Sequence, residues 1–105
     1  MTSEREEELN VLVVDDEEHI RVAVERILRR LDCNVLQAPD GERALSILEE
    51  RDVAVVLLDL KMPGMDGMEV HRRIREAGYR VQVIIITGYA TLETAIEAMK
   101  QGAFD

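Results

Sequence analysis

Aspartates stand where two short aliphatic runs give out. Residues 9–14 end in Asp15 and Asp16, residues 53–58 end in Asp59, and a third run, residues 81–86, ends in the hydroxyl residue Thr87. Carboxylates about 5 Å apart repel by roughly 3 kcal/mol per pair at an effective dielectric of about 20, so gathering three at one rim is destabilising unless something offsets it. A divalent cation does so directly. Oxygen ligands without Cys or His suit a hard ion, and Mg²⁺ takes one or two carboxylates, waters and a phosphoryl oxygen. An aspartate held beside Mg²⁺ can act as a nucleophile toward a phosphoryl group, giving an acyl phosphate. Thr87 supplies a hydroxyl able to hydrogen-bond a phosphoryl oxygen.

That chemistry requires the three runs to end side by side. The runs at 9–14, 53–58 and 81–86 are nearly all aliphatic, the pattern of strands buried on both faces, and a weaker strand is expected over residues 34–37. Between them the period changes. Ile20, Val24, Ile27, Leu28 and Leu31 form one helical stripe, with Arg21, Arg26, Arg29 and Arg30 expected to solvate the rest. Pro39, Asp40 and Gly41 mark a turn before a second helix through Ala44, Leu45, Ile47 and Leu48, with Asp40 as its N-cap. Lys61 to Gly67 is a loop by its Pro and Gly content. A third helix follows through Val70 and Ile74, with Asp66 and Glu69 at capping-box spacing and Gly78 as terminator. A fourth is expected to carry Leu92, Ala95, Ile96 and Met99, starting at Thr91 and stopping at Gly102.

Strands alternating with helices, without hairpin signals, predict an α/β fold with a doubly wound parallel sheet. Ligands bind such sheets beyond the carboxyl ends of the strands, near the switch in strand order. Asp15, Asp16, Asp59 and Thr87 are all expected there.

Composition narrows the function. The 105 residues fit a single domain over residues 9–105 behind an acidic tail at residues 1–8. The balance of 22 acidic against 13 basic residues gives a formal charge of -9, which argues against direct nucleic acid binding and against an anionic membrane surface. The lone Cys33 cannot form an internal disulfide, no apolar leader is expected, and no run approaches the roughly 20 apolar residues needed to span a bilayer. A cytoplasmic protein is expected. His19 and His71 are read as surface residues, Cys33 as a small, partly buried apolar residue, and Met62, Met65 and Met68 as packing residues.

Taken in order and separation, Val11-Leu12-Val13-Val14-Asp15-Asp16-Glu17, the string from Leu57-Leu58-Asp59 to Asp66-Gly67, and Ile84-Ile85-Ile86-Thr87-Gly88 resemble the receiver domains of two-component response regulators. The resemblance implies a flavodoxin-like fold in which Asp59 accepts phosphate from a sensor histidine kinase. It implies that Asp16, Asp59 and the backbone carbonyl of Lys61 ligate Mg²⁺ with Asp15 assisting, and that Thr87 is the switch hydroxyl. Lys61 and Tyr89 match positions that tune acyl-phosphate lifetime in the family. Residues 87–105 resemble a narrower group, receivers attached to AAA+ enhancer-binding transcription activators, which implies control of transcription through an output domain.

The resemblance runs from Leu9 to Asp105 and stops before the family's fifth strand and helix, which hold a phosphate-binding lysine and an inward-swinging aromatic residue. Neither Lys61 nor Lys100 takes that lysine's place. An exposed fourth strand and a partly exposed apolar face of the first helix are therefore expected, inviting homodimerisation, strand exchange or aggregation. The alternative is an interaction module that never carries phosphate. An aspartyl phosphatase would need Asp-x-Asp after its first strand, and a nucleotide site would need a glycine-rich loop where four acids, Asp15 to Glu18, stand.

Overall fold

A computed structural model describes residues 9–86. Strands β1 (Leu9–Val14), β2 (Cys33–Ala38), β3 (Val55–Asp59) and β4 (Gln82–Ile86) alternate with helices α1 (Glu18–Arg29), α2 (Gly41–Glu50) and α3 (Gly67–Ala77). All strand pairs are parallel, and the order across the sheet is β2-β1-β3-β4. The order reverses beside β1, so the carboxyl ends of β1 and β3 flank the switch point. Asp15, Asp16 and Asp59 sit there.

The aliphatic runs are strands because both of their faces are covered. Val11, Val13, Val55 and Leu57 pack with Val24 and Leu28 of α1 on one side of the sheet. Leu12, Val14, Val56 and Leu58 pack with Ala44, Ile47 and Leu48 of α2 and with Val70 and Ile74 of α3 on the other. Successive strand side chains point to opposite faces, so a strand covered on both has no polar side to show. Each fully buried Leu or Val contributes about 1.5–3 kcal/mol relative to exposure. Two central strands carrying the densest burial thus form a rigid base for the loops at their carboxyl ends.

The helix ends follow their expected chemistry with one difference. The Asp40 and Asp66 carboxylates accept the backbone N–H groups of Arg43 and Glu69, at 2.8 and 3.0 Å. Glu69 does not return the bond to complete a capping box; its carboxylate takes Arg72 and Arg73 on the exposed face instead. Gly78 closes α3 in the left-handed conformation, φ 82°, which glycine adopts without steric cost.

Some expectations shift in detail. Strand β3 starts at Val55, two residues later than the apolar run, while Val53 stays buried and Ala54 bonds back to Asn10. Strand β2 extends one residue beyond the expected span at each end. Ile27 lies at the margin of its stripe, 37 % exposed, and Met68 is 58 % exposed and packs little, whereas Met62 is buried. His19 is a surface residue paired with Glu17 as expected, whereas His71, expected on the surface, is half-buried, and Cys33, expected partly buried, is buried in the core. Thr87, Tyr89, the acidic tail and the expected fourth helix lie outside the described residues.

Candidate acidic site at the sheet switch point

Asp15 follows β1 directly. Its N–H donates to the Ala38 carbonyl of β2 at 3.1 Å, one residue beyond the last paired position of the strand. Its Oδ1 accepts the N–H of Glu17 at 2.9 Å, a short Asx turn that leads the chain into α1. Asp59 is the last residue of β3, and its Oδ1 accepts the N–H of Lys61 at 3.1 Å in the same manner. Equivalent local turns therefore orient one carboxylate at the end of each central strand.

The outcome is convergence. Asp15, Asp16 and Asp59 each offer a carboxylate oxygen, and these oxygens all lie within 4.8 Å of one another. Asp15 and Asp59 are half-buried and Asp16 is exposed. Burial is the main influence pushing the Asp15 carboxyl above its ordinary range; the charges of Asp59, Asp16 and Glu17 push the same way, against the Glu17 N–H bond. Asp59 is raised for the same leading reason, with Asp16 and Glu17 adding to it and the Lys61 N–H and ammonium opposing. Both groups titrate upward because their negative charges are crowded and partly desolvated. A hard divalent cation reverses both causes at once, and the donor set, all oxygen, suits Mg²⁺.

One participant was not foreseen. Arg21, expected to be a solvating residue, is half-buried and turns back along α1 so that Nη1 donates to the Asp15 carbonyl at 2.7 Å, while Nε donates to Gln37 Oε1 at 3.2 Å. A signal existed in the sequence. A cation in the first turn or so of a helix opposes the helix dipole, so an arginine four residues after Glu17 calls for a partner.

A parallel α/β sheet with three aspartates converging at its switch point defines a class of folds that gather acidic ligands at the carboxyl ends of their strands, and similarity to known proteins narrows it. Residues 11–105 match the response regulator receiver domain family, so the chain belongs to that family. Its members are two-component signalling switches rather than enzymes. The chain is 41% identical over 99 residues to a putative response regulator NtrX-like of Rickettsia bellii, covering 92% of this chain and 21% of that protein. It is 37% identical over 95 residues to the regulatory protein AtoC of Escherichia coli, covering 90% of this chain and 21% of that protein. The chain thus spans about a fifth of the length of these curated relatives. Among solved structures it resembles the response regulator TrrA of Thermotoga maritima in complex with Mg²⁺-BeF, with a TM-score of 0.73, 30% identity and coverage of 88% and 80% of the two chains. The expectations of a receiver fold and of similarity to enhancer-binding regulators are borne out.

Proposed function

We propose that this domain takes a phosphoryl group from a sensor histidine kinase onto Asp59, with Mg²⁺ held by Asp16, Asp59 and the Lys61 carbonyl and assisted by Asp15. The observation that carries this reading is the convergence of three carboxylate oxygens within 4.8 Å at the switch point. When bound, Mg²⁺ supplies positive charge that offsets the negative charge of carboxylate and phosphate alike.

The chain's own residues do the rest. The Lys61 N–H holds Asp59 Oδ1, which leaves Oδ2 to attack phosphorus. The new bond is Oδ2–P; the bond that breaks is P–N to the kinase imidazole, which keeps the electron pair. Asp15 and Asp16 anchor the cation side of the pocket, and Thr87 donates its hydroxyl to a phosphoryl oxygen once phosphate has arrived. Phosphorylation then shifts a two-state equilibrium that alters affinity for a partner, a second copy or an output domain, so that a cytoplasmic regulator changes transcription. Among the described residues no helix is long and apolar enough to cross a membrane.

The test is labelling with acetyl phosphate in the presence of Mg²⁺, followed by mass spectrometry. Wild type gains one phosphoryl group that hydroxylamine removes, as it does from an acyl phosphate, and Asp59→Asn gains none. Undiminished labelling of Asp59→Asn would overturn the assignment. Mg²⁺ binding without any labelling of wild type would favour a phosphorylation-independent interaction module.

A further inference from the structure

The backbone around Asp15 is clamped from two elements. Asp15 lies between two planar peptide units. The unit before it is held where the Asp15 N–H meets the Ala38 carbonyl of β2 at 3.1 Å. The unit after it, shared with Asp16, is held where the Asp15 carbonyl accepts Arg21 Nη1 at 2.7 Å. Strand pairing ends at Val14 on both sides of β1, so this second unit has left the ladder. Its orientation sets where the Cα atoms of Asp15 and Asp16 stand relative to Asp59.

Arg21 is itself held. Its Nε donates to Gln37 Oε1 at 3.2 Å, Gln37 Nε2 donates to Glu25 Oε1, and Glu25 Oε2 takes Arg29 Nη2 at 2.7 Å. The chain of bonds ties the acidic loop to α1 and to the end of β2. Gln37 shares the α1 side of β2 with Cys33 and Val35, which explains a polar residue near the end of an otherwise apolar face. The planar guanidinium reaches two acceptors at fixed angles, which a lysine ammonium does not reproduce.

We infer that Arg21, braced by Gln37, is a positioning residue of the acidic site: it orients the Asp15–Asp16 peptide so that both carboxylates meet Asp59 around one cation. This inference rests on reading the cluster as a divalent-cation site. It contradicts the simple electrostatic expectation. A cation near three carboxylates lowers their attraction for a metal ion, so removing its charge without any geometric consequence tightens binding. Removing a clamp loosens it.

The measurement is the dissociation constant for Mn²⁺ alone, by water-proton relaxation, on the intact chain, with folding checked by circular dichroism at the same temperature. Arg21→Gln is expected to weaken binding by about 10-fold, the lower end of what loss of an outer supporting contact costs a metal site. Arg21→Lys keeps the charge but loses the fork, and is also expected to bind more weakly than wild type. Gln37→Leu, which leaves the Asp15 contact chemically intact, weakens binding by a smaller factor and serves if Arg21→Gln does not fold. Unchanged or tighter binding in Arg21→Gln, or in Gln37→Leu where that variant stands in, overturns the role of Arg21. Asp16→Asn separates this from failure of the underlying reading: if wild type binds Mn²⁺ no better than Asp16→Asn, the cluster is not the metal site and the inference falls with it.

Discussion

Gly67 opens α3 against the backbone of Asp59. Its N–H donates to the Leu60 carbonyl at 3.1 Å. A β carbon at Gly67 would stand 2.7 Å from the Leu60 Cα and closer still to the Asp59 carbonyl oxygen. Those neighbours are backbone atoms, which cannot swing aside as a side chain would. Gly67→Ala is therefore expected to push α3 from the end of β3, costing about 1–3 kcal/mol as overpacking does. The same shift displaces Asp59 and Lys61, so Mn²⁺ binding weakens. Urea denaturation followed by circular dichroism measures the first effect and proton relaxation the second. Full stability with full affinity would show that the close approach is dispensable.

Crowded carboxylates make a second prediction, in which a substitution at the site stabilises the protein. Asp16 raises the proton affinity of both Asp15 and Asp59 through its charge. In metal-free buffer Asp16→Asn is expected to gain on the order of 1 kcal/mol, a figure discounted because solvent screens exposed charges. Saturating Mg²⁺ reverses the ranking: at a hundred times its dissociation constant a ligand specific to the folded state stabilises by about 2.7 kcal/mol, and only wild type receives it. Parallel urea curves with and without Mg²⁺ check both halves.

The sign of the pH dependence follows from burial first and crowding second. The folded-state values of Asp15 and Asp59 stand above the ordinary 3.8 of an unfolded carboxyl. Between 3.8 and the raised values the folded chain holds more protons than the unfolded one, so these groups lower stability as pH rises through that window. Above it the penalty is complete, and below it the penalty is gone. With saturating Mg²⁺ protons compete with the metal, and stability rises with pH over the same range. Subtracting the Asp59→Asn curve from wild type isolates the cluster from other acids. A metal-free difference curve that climbs with pH would mean that burial and crowding do not dominate these carboxyls.

Much of this was legible in the sequence because the central strands bury both faces. Runs such as Val11 to Val14 have no polar side to confuse the period, and an Asp directly after such a run stands at the rim. The caps were legible too, since Asp40 and Asp66 act on N–H groups three residues on. Strand β2 was faint for a physical reason. It pairs with β1 alone among the described strands, and its polar Asn34 and Gln37 serve neighbours rather than the core: Asn34 bonds Asn10 at 2.8 Å and Gln37 bonds Arg21 and Glu25. Arg21 was hidden for a related reason. A helical projection assigns a charged residue to solvent, but a long side chain lies along the helix and reaches backbone that no periodicity describes. Glu69 misled in the opposite direction, for arginines one turn further on outcompeted the helix terminus for its carboxylate.

Asp40 and Asp66 make a controlled pair for the last prediction. Each begins a helix on the same side of the sheet, and each accepts one backbone N–H at nearly the same distance, 2.8 and 3.0 Å. Replacing either by Ala removes one cap and is expected to cost about 1 kcal/mol of stability. Their consequences for the site differ. Asp66 adjoins Gly67, whose N–H is bonded to Leu60 between Asp59 and Lys61, so a frayed start to α3 loosens the loop that carries two of the proposed ligands. Asp40 begins α2 beyond the outer strand β2, and its neighbour Gly41 lies against the Met65 and Val70 side chains rather than against the backbone of Asp59. Asp66→Ala should therefore weaken Mn²⁺ binding several-fold at equal loss of stability, while Asp40→Ala weakens it by a smaller factor. Equal effects on affinity would mean that metal binding follows global stability rather than the anchoring of the β3–α3 loop.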